Sequence, residues 1–193
     1  MKSIFICLFS FIAIGLNAQQ EELPYHQIPD YPEDYTAGSV AARMIDGLGF
    51  RYYHATDGLT EKDLAHRPSD MARTAGETID HIYGLSKVIV NAALQKTNDR
   101  TVKEQELSFT EKRKQTLINF KTAADILRGK TDLADYKLIF KSDRGTSEFP
   151  FWNNINGPIA DALWHCGQVV SFRRSSGNPF NSKVSVFQGK VRN

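Results

Sequence analysis

Cysteine is scarce: only Cys7 and Cys166 occur among 193 residues. A disulfide-stapled scaffold is therefore excluded. An excess of one charge is also missing, because 24 Lys and Arg face 22 Asp and Glu, a formal charge of +2. That balance leaves no basic footprint for nucleic acid and no polybasic patch for a membrane surface. No apolar run reaches the roughly 20 residues that a membrane-spanning helix needs. The phosphate-cradling patterns G-x-G-x-x-G and G-x-x-x-x-G-K are absent, as is the G-x-S-x-G of a nucleophile elbow, so nucleotide binding and Ser/His/Asp catalysis lose their usual signatures. What is present is ordinary globular usage, 41% hydrophobic and 24% charged, which sets disorder and collagen-like classes aside. The length suits one domain.

The longest apolar run, Ile4 to Leu16, has 13 residues and is broken only by Ser10 and Gly15. Lys2 precedes it, Ala18 fits the −1 cleavage position, and polar Gln19 to Glu22 follow; Leu16 is larger than the −3 position prefers. Residues 1–18 read as a secretory signal peptide cut after Ala18. The expected protein is exported, periplasmic or extracellular, with no stable membrane span after cleavage. Cleavage removes Lys2 and Cys7, leaving a net charge of +1 and Cys166 as the only thiol. No internal disulfide can then form, and stability must come from the core.

Residues 19–35 hold Pro24, Pro29 and Pro32 with Tyr25, Tyr31 and Tyr35. They read as an extended lead-in whose tyrosines cover apolar surface. Four helical patterns follow. Thr36 to Asp57 carries Val40, Met44, Leu48, Tyr52 and Ala55 at helical spacing, with Gly47 and Gly49 weakening it. Thr60 to Asp63 resembles a short capped turn. Thr74 and Glu77 form a capping box ahead of Ile79, Ile82, Leu85, Ile89 and Ala93, and the polar stretch Lys96 to Glu106 closes that helix. Ser108 and Glu111 form a second box ahead of Leu117, Phe120, Ala124 and Leu127, with Gly129 at the end. In 130–157, Tyr136 to Phe140 and Thr146 to Phe149 predict a small hairpin around Asp143-Arg144-Gly145. Phe149 to Trp152 predict an aromatic plug. Pro158 fits the first position of the last helix, whose stripe is Ile159, Leu163, Cys166 and Val170, with Arg173 and Arg174 in the last turn and Gly177 beyond. The fold class expected is all-α, an up-and-down four-helix bundle with one long connection, carrying the hairpin, between helices three and four. Residues 181–193 form a polar tail.

Five histidines remain after cleavage. His26 and His66 lie in loops and read as solvated. Asp161 precedes His165 by four residues, so both project from one helix face. His81 continues the apolar line of Leu85, Val88 and Ala92 and so points inward, where a polar ring needs a partner. His81, Asp161 and His165 together have the composition of a 2-His-1-carboxylate metal site. The same residues also fit an intrahelical salt bridge beside a hydrogen-bonded core histidine. His54, near the end of the first helix, is the one other histidine in reach. Cys166 neighbours His165, but successive helical residues diverge by about 100°, so they form no nucleophile–base pair.

Three stretches carry a resemblance: Leu59 to Pro68; Glu77-Thr78-Ile79-Asp80-His81-Ile82; and Asp161-Ala162-Leu163-Trp164-His165-Cys166-Gly167-Gln168 with Arg173 to Gly177. Together they resemble the DinB/YfiT superfamily of small metal-binding four-helix bundles, across residues 36–180. The resemblance implies a DinB-like bundle with a divalent ion (Zn, Ni, Mn or Fe) on His81, Asp161 and His165, where Asp161 stands in place of the family's third histidine. It also implies a metal-dependent hydrolase or thiol transferase acting on a small-molecule substrate that the sequence does not name; no catalytic residue is assigned. Gln168 and Trp164 belong either to the site's support or to packing. The alternative is a non-catalytic binding module with a lapsed site. A homodimer is compatible with either.

Overall fold

The computed structural model describes residues 22–193. Residues 1–18, expected to be a signal peptide, and the expected cleavage point lie outside the described residues. The chain is mainly helical with a few small strands. Its elements are α1 (Ala37–Thr56), α2 (Glu61–Ala65), α3 (Ala75–Ala93), β1 (Thr97–Asp99), α4 (Phe109–Arg128), β2 (Leu138–Ser142), β3 (Gly145–Phe149), α5 (Trp152–Asn154), a π turn at Ile155–Ile159, α6 (Ala160–Ser176), β4 (Val184–Ser185) and β5 (Lys190–Val191).

Side-chain caps start four of these helices. Thr36, Thr60, Thr74 and Ser108 each accept from the backbone N–H three residues on, and Ser39, Asp63, Glu77 and Glu111 reach back to the cap. Each such cap stabilises its helix by about 1 kcal/mol. At the other end of α6, Gly177 adopts φ +96° and donates to the Arg173 and Arg174 carbonyls, the left-handed stop that glycine alone takes without strain.

The four long helices pack in a ring, α1 against α4 and α6, and α3 against α4 and α6. Their directions follow from paired residues. Lys112 reaches Asp80 and Asn119 reaches Ser86, so α3 and α4 run parallel. Arg113 binds Thr56 at one end of α1 and Gly38 donates to Lys130 at the other, so α1 and α4 are antiparallel. Parallel α3 and α4 cannot be joined by a tight turn. Residues 94–108 cross the length of the fold, so the expected up-and-down order with one long connection is corrected: the successive long helices α3 and α4 run the same way, and there are two long connections, 94–108 and 129–159.

That crossover also contains a strand. β1 pairs in parallel with β2, Thr97 opposite Ile139, and β2 pairs antiparallel with β3, Leu138 opposite Phe149. The hairpin at 138–149 was expected; the strand at 97–99 was not.

The core is formed by Ile45, Leu48 and Tyr52 of α1, Ile79, Ile82 and Ile89 of α3, Leu117, Phe120 and Leu127 of α4, and Ile159, Cys166 and Val169 around α6. The expected α1 stripe holds at Leu48, Tyr52 and Ala55, which are buried, but not at Val40, which is 47% exposed; Ala41, Ala42 and Ile45 are buried beside it. Of the lead-in tyrosines only Tyr25 is buried. Its ring lies over Gly49, where a Cβ would come within 2.4 Å of it, and its hydroxyl donates to Asp46 at 3.1 Å. Gly49 is thus needed for a close approach. Tyr35 is exposed, and Tyr31 instead lies under the Arg43 guanidinium. The aromatic plug reduces to Phe151, since Phe149 and Trp152 are exposed. In the tail, Val184 docks, and the Gly189 carbonyl accepts from Ile28 of the lead-in at 2.8 Å.

Candidate metal centre

α3 and α6 bring three side chains together. The capping box at Thr74 fixes where α3 begins, and His81 lies two turns in, facing α6. Asp161 and His165 come from the first turns of α6. Pro158 is not at the first helical position as expected. It sits inside the π turn, where Ala160 donates to the Ile155 carbonyl five residues back. Proline lacks an N–H and its ring crowds the carbonyl four residues earlier, and the wider turn accommodates both.

His81 Nε2 lies 3.0 Å from Asp161 Oδ2, and His165 Nε2 lies 3.2 Å from Asp161 Oδ1. The two imidazoles are 4.7 Å apart between centroids and nearly perpendicular. One donor atom from each residue lies within 4.8 Å of the others. Exposure is graded: the His81 and Asp161 side chains are 35% and 34% exposed, His165 only 13%. The site is thus partly open to solvent on the His81 and Asp161 side.

The remaining nitrogen of His165 decides its chemistry. Nδ1 is 2.7 Å from Gln168 Oε1, one turn further along α6. With the amide turned so that its oxygen faces the ring, Gln168 accepts and Nδ1 donates, which assigns the proton to Nδ1 in this arrangement. On a neutral ring Nε2 then holds a lone pair, and that lone pair faces Asp161 Oδ1. Two acceptors 3.2 Å apart call for a cation, either a proton on Nε2 or a metal ion. Orientation of a ligating histidine by a hydrogen bond from its far nitrogen is what metal sites use to fix the tautomer. Trp164 stacks on His165 at an interplanar angle of 11° and is 70% exposed, so it forms the outer wall. Gln168 and Trp164 both border the site.

The other histidines are elsewhere. His54 is buried and places Nε2 3.0 Å from the His26 carbonyl; burial, first of the causes, lowers its pKa. His26 is exposed, with its ring against Tyr53 and His54. His66 is not solvated: its ring meets Phe172 and its Nε2 is buried. Cys166 is on the buried stripe as expected, and burial pushes its thiol up to about 12.

A polar network that the sequence did not reveal borders α6 at its far end. Buried Arg173 donates to the carbonyls of His54 and Ala55 and to Asn178. Buried Asp63 accepts from Thr60, Ser176 and Asn178. Spacing marked Arg173 only as a dipole-compensating residue in a last turn; its partners are Asn178 just beyond α6 and two carbonyls of α1, which no local pattern shows.

The chain matches no family model, no curated protein and no solved structure. Among the described residues no helix is long and apolar enough to cross a membrane.

Proposed function

We propose that residues 36–180 are a DinB-like four-helix bundle holding one divalent metal ion on His81, Asp161 and His165, and that the exported protein is a metal-dependent hydrolase or thiol transferase acting on a small molecule. The supporting observation is the pair of facing acceptors, His165 Nε2 and Asp161 Oδ1, set 3.2 Å apart with His81 beside them. Two imidazoles and one carboxylate suit Zn, Ni, Mn or Fe and leave coordination positions open. His81, Asp161 and His165 would hold the ion, which when bound would supply Lewis-acid polarisation of a water, thiol or substrate oxygen. The chain's own part is positional. Gln168 holds the His165 tautomer, Asp161 sets the negative charge of the site, and Trp164 limits solvent on its outer side.

One observation favours a second reading. Asp161 contacts both imidazoles at hydrogen-bond distance, so the three residues can also tie α3 to α6 with no metal, as in a non-catalytic binding module. Elemental analysis of protein purified without chelator separates the two. The metalloenzyme reading requires about one metal ion per chain, lost in His81→Ala. A chain that retains no metal and takes up none of the four ions on titration overturns it. Export is tested by the mass of the secreted protein, whose first residue should be Gln19.

A further inference from the structure

α6 has a second face. At about 100° per residue, Leu163, Val170 and Arg174 lie half a turn away from Asp161, His165 and Gln168. A cleft of about 550 Å³ opens on that face, between α6, Arg51 of α1 and tail residues 180–186. Small-molecule sites span roughly 300–1,000 Å³. Its lining is mixed: Leu163, Val170, Phe180 and Val184 are apolar, Ser171, Asn181 and Ser182 are polar, and Arg51 and Arg174 add two guanidinium groups. Elsewhere in the fold Arg113 and Arg128 are matched with Asp57 and Asp46, while Arg43 and Arg67 hydrogen-bond only to main-chain carbonyls. Among the described residues Arg51 and Arg174 have no carboxylate partner; Arg51 donates only to the Gly47 carbonyl, at 2.9 Å. The helix dipole accounts for a cation in the last turn of α6. It does not account for Arg51 in the second half of α1, beside the same cleft.

We propose that this cleft is a binding site for an organic anion with an apolar body, of the medium-chain carboxylate class. The guanidinium groups supply charge-assisted donors to the carboxylate, and the apolar residues of the lining take the chain. The site is separate from the metal centre and does not depend on it.

The test is calorimetric titration of the full chain with decanoate, and with decyltrimethylammonium as a cation of matched length. Saturable binding of one decanoate per chain is expected, with none of the cation. Arg174→Gln, an exposed position that leaves the core untouched, should weaken decanoate binding about tenfold or more, and Arg51→Gln should do the same. Occupancy should also slow native labelling of Cys166, which lines the cleft. His81→Ala should bind decanoate as the parent does; loss of binding there would place the carboxylate on the metal centre and overturn the proposal. So would an absence of saturable binding up to about 1 mM, or equal binding by Arg174→Gln and the parent.

Discussion

Replacing His81 by alanine separates the metal from the packing. In the metal-free chain His81 contributes one contact to Asp161, at 3.0 Å, between side chains about one-third exposed. Pairs of that kind are worth about 0–1 kcal/mol, so the variant should lose at most about 2–4 °C in melting temperature for a chain of this size. The metal-bound chain behaves differently. An ion present at about 100 times its dissociation constant stabilises the folded state by about 2.7 kcal/mol, which corresponds to roughly 5–11 °C here. Removing His81 takes away the only ligand from α3 and leaves two ligands on one helix, which hold an ion poorly. Thermal melts with EDTA and with added Zn, Ni or Mn should therefore show a small EDTA-state difference between parent and variant and a large metal-state difference. A variant that keeps the full metal-dependent shift, or a parent that shows none, refutes the reasoning.

Asp161→His should keep or enlarge the metal-dependent shift, because imidazole ligates the same ions, whereas Asp161→Ala should reduce it by more than the value of a surface ion pair; the same melts read both. Cys166 is buried, and burial pushes its thiol up to about 12, so a thiol reagent should label it slowly in the native protein and rapidly in denaturant. Asp63→Asn should destabilise the fold by about 2–4 kcal/mol near neutral pH, since it breaks charge-assisted bonds to a buried carboxylate. Burial alone would raise the Asp63 pKa, but hydrogen bonds from Asn178, Ser176 and Thr60 outweigh it and hold the carboxyl well below the usual range. A depressed folded-state pKa contributes stability above the unfolded value of about 4 that fades as pH falls below it. The difference between parent and Asp63→Asn melts should therefore shrink in acid, and one that stays constant down to about pH 2 would contradict this account.

The parts of the fold that were legible in the sequence are those set by neighbours along the chain. Thr74 with Glu77 and Ser108 with Glu111 form their caps within one turn, and Gly177 ends α6 through its own backbone. The i,i+4 spacing of Asp161 and His165 fixed their shared face, and the apolar line of α3 aimed His81 at it. Tertiary choices were not legible. Parallel packing of α3 against α4 leaves the same 3.6-residue period as antiparallel packing. β1 is Thr97-Asn98-Asp99, with no apolar alternation to mark it, because its place is set by main-chain pairing with β2. The stripe Leu48, Tyr52 and Ala55 of α1 was legible, but Gly49 and Ala41 also face neighbours, so a wider face of that helix is buried than one stripe shows, and Val40 at its edge is exposed.

Pro158 shows how such a misreading bears on the site. A proline behind a glycine looks like a helix start, and the sequence gives no sign that the helix has already begun at Trp152. The π turn adds one residue to the helix between Phe151 and Asp161, and one residue is worth about 100° of rotation. With a regular α-helix through the same span, burying Phe151 in the core would turn Asp161 away from α3 by about that angle. The wide turn allows both: Phe151 plugs the core and Asp161 faces His81. The direction of the carboxylate is thus fixed by a backbone irregularity of five residues, Ile155–Ile159, and the irregularity is tied to the one residue in that stretch that cannot donate a hydrogen bond.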